Sequence, residues 1–254
     1  INDAFHWLYL QFRLSSPVTH AANIGGTGAL QVTHIPERYV AEWINRAFFH
    51  SPEGVQRGET VAAIMSSGRG LSRGVECMGQ AIRTGEQPLG SVGRIEARFD
   101  VSSQALGLDP TTPLGKIADV AGALTPTRMM MGEDAVFKGI AYEAELGALA
   151  WREALKRTTD PAEFKRIVKA LEREPTAEMM KMATEAALIR TLNADLGIIG
   201  RTALNLRNAL GPLGWVVAPF LQTPANAYKW FAQRAPGISL VSHQNWKDIL
   251  TGTP

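Results

Sequence analysis

Apolar side chains along this chain recur with the period of a helix. Over residues 161–173, Phe164, Ile167, Val168 and Leu171 fall at i, i+3, i+4 and i+7, with lysines and arginines on the other side. Residues 126–157 carry the longest pattern. Phe137, Ile140, Ala141, Ala144, Ala148, Trp151 and Leu155 form one stripe, and Tyr142, Leu146 and Leu149 a second. Two apolar faces predict a helix with neighbours on two sides. Residues 176–209 read as a further long helix, with a break expected near Gly197 or Gly200. Residues 4–14 are a shorter apolar helical stretch.

A Ser, Thr or Asp followed by proline punctuates these patterns at Ser16-Pro17, Ser51-Pro52, Thr125-Pro126, Asp160-Pro161 and Thr223-Pro224. Proline suits the first helical turn, where its missing N–H would have no partner anyway. The preceding oxygen can accept an N–H from that turn. Asp160 with Glu163 three residues on has the spacing of a capping box. The expected fold is therefore all-α: an array of proline-capped helices with little or no strand.

Residues 84–113 differ. They hold Gly85, Pro88, Gly90, Gly93, Gly107, Pro110 and Pro113, which favour loops, and enclose an alternating stretch, Arg94 to Val101, with the period of a half-buried strand or a helical turn or two. The expected organisation is an N-terminal helical unit over residues 1–86, a Gly/Pro-rich linker over 87–113 and a C-terminal helical unit over 114–254.

Composition narrows the function classes. Of 254 residues, 45% are hydrophobic and 20% charged, as in a chain that buries a core. Twenty-six Lys and Arg against 24 Asp and Glu leave a net charge of +2, too balanced for a global basic field that would hold nucleic acid. No window reaches the roughly 20 apolar residues of a membrane span. The lone cysteine, Cys77, cannot build a disulfide framework and is expected as a small buried apolar residue. The chain opens at Ile1-Asn2-Asp3 without a secretory pattern and reads as a piece of a longer protein.

Candidate chemistry is sparse. His6, His20 and His34 recur every 14 residues, but Pro17 and Pro36 are expected to interrupt the helices between them, and no HExxH occurs. No metal site and no cofactor is expected. Gly25-Gly26-Thr27-Gly28 and Ser66-Ser67-Gly68-Arg69-Gly70 lack the Gly-Lys-Ser/Thr of a phosphate loop, and small residues at helical spacing serve to let two backbones approach. Glu133, Asp134, Glu143 and Glu145 could in principle supply paired carboxylates for glycoside hydrolysis. Set within a helix, with Lys138 four residues from Asp134, they read as solvated or interhelical charge.

Three stretches taken together point further: Leu14 to Asn23 (LSSPVTHAAN), Gly132 to Ala154 (GEDAVFKGIAYEAELGALAWREA), and Ala218 to Asn226 (APFLQTPAN) with Arg234-Ala235-Pro236. In this order and spacing they resemble the helical region of large tailed-phage internal virion, or polyvalent, proteins, over about 220 residues. Such proteins are packaged in the capsid and ejected with the genome. The resemblance implies a non-catalytic structural segment that assembles with copies of itself and with other virion proteins, and contact with genome DNA or host membrane. It implies residence in the virion and, after ejection, in the host envelope, with no small-molecule substrate. No catalytic motif of the class matches here, so no active site is carried over. The alternative is a peptidoglycan-cleaving, lysozyme-like domain with a catalytic Glu.

Residues 210–236 are expected to be a contact element. Trp215, Phe220, Tyr228, Trp230 and Phe231 crowd into it, while Pro212, Pro219 and Pro224 divide it into short pieces. Residues 215–221 are apolar nearly all round, and such a piece must be covered by this chain, a partner or lipid.

Overall fold

The computed structural model describes residues 9–89, 102–103, 106–195, 197–211, 213–214 and 221–234. It is 79% helical, with nine helices and no strand among the described residues, and the fold is all-α. The alternating stretch at 94–101 lies outside the described residues.

Residues 9–14 form a short helical turn that buries Leu10 and Leu14. Then follow α1 (Pro17–Ile44), continued by a π-helical turn (Asn45–Phe49), α2 (Glu59–Thr84), α3 (Pro113–Ala123), α4 (Pro126–Arg157), α5 (Pro161–Arg173), α6 (Ala177–Arg190), α7 (Gly197–Ala209) and α8 (Gln222–Arg234). The proline starts work by the expected chemistry in part. Ser16 Oγ accepts from the Val18 amide, and Asp160 accepts from the Glu163 amide at 2.8 Å. Glu163 does not close the box, because its carboxylate takes the Thr158 hydroxyl at 2.8 Å instead. Thr125 precedes Pro126, but its hydroxyl donates back to the Gly122 carbonyl. Ser51-Pro52 opens a turn and no helix. Thr112-Pro113, which periodicity did not single out, caps α3 through the Gly115 amide at 3.1 Å.

One expectation is met and one corrected. The pattern over 176–209 is broken just before Gly197, as expected: α6 ends at Arg190 and α7 begins at Gly197, and Leu192 between them adopts a left-handed φ of 57°. Asn193 consolidates the break by donating to the Thr191 carbonyl and to Asp134 at 2.7 Å. Conversely, Pro36 does not interrupt α1, which runs through it for 28 residues. Pro36 lies on the exposed side, so the Val32 carbonyl that loses its N–H partner can turn to water. His20 and His34 therefore share one face of one helix after all. They lie about 21 Å apart along it, at 1.5 Å per residue, too far for a common metal.

Helix α4 is the axis of the molecule. On one side α2 runs antiparallel to it through a stripe of small residues: Ala63, Ser66, Gly70, Gly74, Cys77 and Ala81. The backbones nearly touch there. A Cβ built on Gly139 of α4 would fall 2.5 Å from the Gly74 Cα, and one on Gly70 would fall 2.6 Å from the Ile140 Cα. On the other side Ala141, Tyr142, Leu146, Leu149 and Ala150 pack with Leu171 of α5 and with Met179, Ala183 and Ala187 of α6. Trp151 meets Phe164 edge-on at 4.7 Å. Helix α4 thus has the neighbours on two sides that its sequence predicts, although Ala141 and Trp151 of the first stripe pack on the α5 and α6 side with the second. Helix α1 lies parallel to α4, tied by His20 to Glu133 at 2.6 Å and Asn23 to Glu133 at 3.1 Å. Helices α1 and α2 come from residues 1–86 and α4 from 114–254, and they share this packing.

Candidate functional site

Glu133, Asp134, Glu143 and Glu145 of α4 each bind a residue outside their own helix. Asp134 holds Lys138 at 3.0 Å and accepts from Asn193. Glu143 accepts from Arg73 of α2 at 2.7 Å, and the Arg73 guanidinium lies 4.6 Å from the centre of the Tyr142 ring. Glu145 is fully buried, and a single oxygen, Oε2, accepts from Arg38 of α1 and from Arg190 of α6, each at 2.6 Å. Arg38 also reaches Glu59 at the start of α2. Glu59 in turn accepts from Arg152 of α4 through both oxygens, at 3.0 and 2.7 Å. Four helices thus meet on five buried ionic side chains.

Desolvation alone would raise the Glu145 pKa, but the guanidiniums of Arg38 and Arg190 outweigh it and hold the carboxyl down at about 2. Glu53, Asp109 and Asp119 also sit below the ordinary carboxylate range: Lys156 hydrogen-bonds Glu53, Thr111 binds Asp109, and Ser103 binds Asp119. His34, buried beside the network, is held neutral with its pKa down at about 2, chiefly by desolvation and then by Arg190 and Arg234. Sequence reading passed over Arg38, Glu59, Arg152 and Arg190. One signal was present: Glu145 stands in an otherwise small and apolar run, Ala144 to Ala150. A lone charge there needs a buried partner.

Of the contact-element residues, Trp215 and Phe220 lie outside the described residues. Tyr228 and Phe231 project outward from α8, 75% and 65% exposed. Trp230 is half-buried, meets Phe231 edge-on at 5.0 Å and carries the Arg234 guanidinium over its ring at 4.0 Å. Arg234 also grips Glu37 of α1 through two bonds, at 2.5 and 2.8 Å. Asn226 donates to the Leu192 and Ala194 carbonyls at 2.8 Å. Helix α8 is thereby docked by polar clasps, with aromatic surface left over. Between α8, α1 and α4 lies a groove of about 640 Å³, walled by Leu14, Leu30, Met131, Trp230 and Phe231.

Further apolar surface faces outward. Val32, Tyr39, Val40 and Trp43 follow helical spacing along α1, exposed beside its buried His34 and turned away from its buried Thr27 and Arg38. Val61, Ile64, Met65, Leu71 and Val75 do the same on α2, opposite its small-residue stripe. Leu114, Ile117, Val120 and Leu124 form a third stripe on α3. Among the described residues no cluster of three His, Cys, Asp or Glu side chains could hold a metal, and no helix is long and apolar enough to cross a membrane. Comparison with protein-family models, curated proteins and solved structures finds no match to this chain.

Proposed function

We propose that this chain is a non-catalytic structural segment of a phage internal virion protein, one that assembles in several copies to help carry the genome across the host envelope. The observation that carries the assembly part is the pair of apolar stripes turned outward on α1 and α2. The α2 stripe lies opposite the face that helix buries, and the α1 stripe stands exposed beside its buried residues, positions that a helix in a solitary domain would fill with polar side chains. The virion part rests on the motif resemblance over Leu14–Asn23, Gly132–Ala154 and Ala218–Asn226. Light scattering of the purified chain over a hundredfold concentration range tests the proposal, with multimers expected to build up. A monomer throughout, together with a cleared zone in a peptidoglycan zymogram, would replace it with the enzyme reading.

A further inference from the structure

The buried ionic network ends in a cleft. About 190 Å³ of space lies between α1, α2 and α4, with Val32, Ile35, Ile64 and Ile140 among its walls. His34, Arg38 and Arg190 also line it, and these three are 3%, 6% and 3% exposed. Four of their nitrogens have no hydrogen-bond partner: both ring nitrogens of His34, Arg38 Nε and Arg190 Nε. Glu37 Oε2 stands 3.3 Å from His34 Nδ1 but outside hydrogen-bonding geometry, and the carboxylate is taken up by Arg234. The half-buried Glu42 accepts from Thr60 at the same cleft. Buried N–H groups without partners are uncommon, and each costs the full loss of its hydration.

The charges of the network do not balance either. Its fully buried members are three guanidiniums, Arg38, Arg152 and Arg190, against two carboxylates, Glu59 and Glu145. One positive charge is left over where water is scarce. The guanidiniums of Arg38 and Arg190 are near one another, because both donate to the same Glu145 oxygen. A single water could accept two of the N–H groups but would leave the charge. A carboxylate offers two oxygens with about four acceptor positions, and its hydrogen bonds to guanidinium are charge-assisted.

We infer that this cleft binds a small monocarboxylate, its head taken by Arg38 Nε–H, Arg190 Nε–H and the His34 ring, and its short apolar tail laid against Val32, Ile35, Ile64 and Ile140. The space equals about six waters at roughly 30 Å³ each, enough for a chain of about four carbons. The ligand supplies the missing negative charge at the point where four helices meet, and it stabilises the folded chain by mass action.

Sodium butyrate titrated against the full chain, with sodium chloride holding ionic strength constant, is the test. The Tm is expected to rise along a saturating curve, by about 5 °C or more at a hundredfold excess over Kd. The His34 imidazole resonances should shift with the same midpoint, and butyramide, the neutral analogue, should move neither. His34→Leu should keep a cooperative helical transition and weaken the response at least tenfold. Ile64→Trp, a change at a part-exposed wall position that fills the cleft, should abolish it, and keeps the test decisive if the histidine variant does not fold. Stabilisation that climbs without saturating, or that butyramide reproduces, would overturn the inference, as would a response saturated by chloride alone.

Discussion

Glu145 holds two guanidiniums on one oxygen at the centre of the molecule, so its removal strands charge rather than merely losing a contact. Glu145→Gln is expected to cost about 3–5 kcal/mol in urea unfolding, since breaking a buried ion pair from one side leaves the partners uncompensated. The pH dependence follows from two depressed pKa values. Folded His34 stays neutral down to about 2, while in the unfolded chain it takes a proton below 6.5. Folded Glu145 likewise stays ionised to about 2, against 4.5 when unfolded. In both cases the unfolded state binds the extra proton, so stability is complete above pH 6.5 and falls as the solution is acidified. His34 acts first, from 6.5 downward, and Glu145 adds its share from 4.5 to about 2. Chemical denaturation at pH 7 and pH 5 should differ by about 2 kcal/mol at 1.4 kcal/mol per unit, and His34→Leu should remove most of that difference.

At the scale of elements, the α2–α4 crossing depends on what is missing from it. An added methyl at Gly139 meets the Gly74 backbone, which cannot swing aside as a side chain can. Gly139→Ala is expected to destabilise by about 1–3 kcal/mol or more through overpacking. Gly25 of α1 has nothing within 4 Å of its would-be Cβ, and Gly25→Ala should stabilise by about 0.5–1 kcal/mol through helix propensity. Thermal unfolding of the two variants side by side checks both signs. Helix α4 was legible from residue 126 to 157 because its proline start and its two stripes are local. The break after α6 was legible as a glycine signal near 197, but its start at Leu192 was not, because Leu192 is no turn signal and the residue that fixes it, Asn193, reaches across to Asp134 on another helix. Pro36 misled for the converse reason. A breaker by propensity, it is tolerated where its lost hydrogen bond faces solvent and the rest of α1 is packed on α4.

For the whole molecule, the exposed stripes make association the expected behaviour. Met65, 73% exposed, and Val61 sit one turn apart on the outward face of α2, away from its buried small-residue stripe. Val61→Glu with Met65→Glu should leave the circular dichroism and Tm nearly unchanged while lowering the mass seen by light scattering. If multimers persist in that variant, the α2 face is not where copies meet. Much of this architecture was written in local pattern. Helical period, proline starts and an apolar α4 with two faces determined that the chain is all-α and that α4 would be flanked on both sides, since these properties depend on residues three or four apart. Only the tertiary structure decided which charges meet. Arg38, Glu59, Glu145, Arg152 and Arg190 lie 21 to 107 residues from the partners they bind, and no periodicity spans such distances. It alone also decided which apolar stripes were covered and which were left outward, because a stripe shows that a face seeks a neighbour and not whether the same chain supplies one.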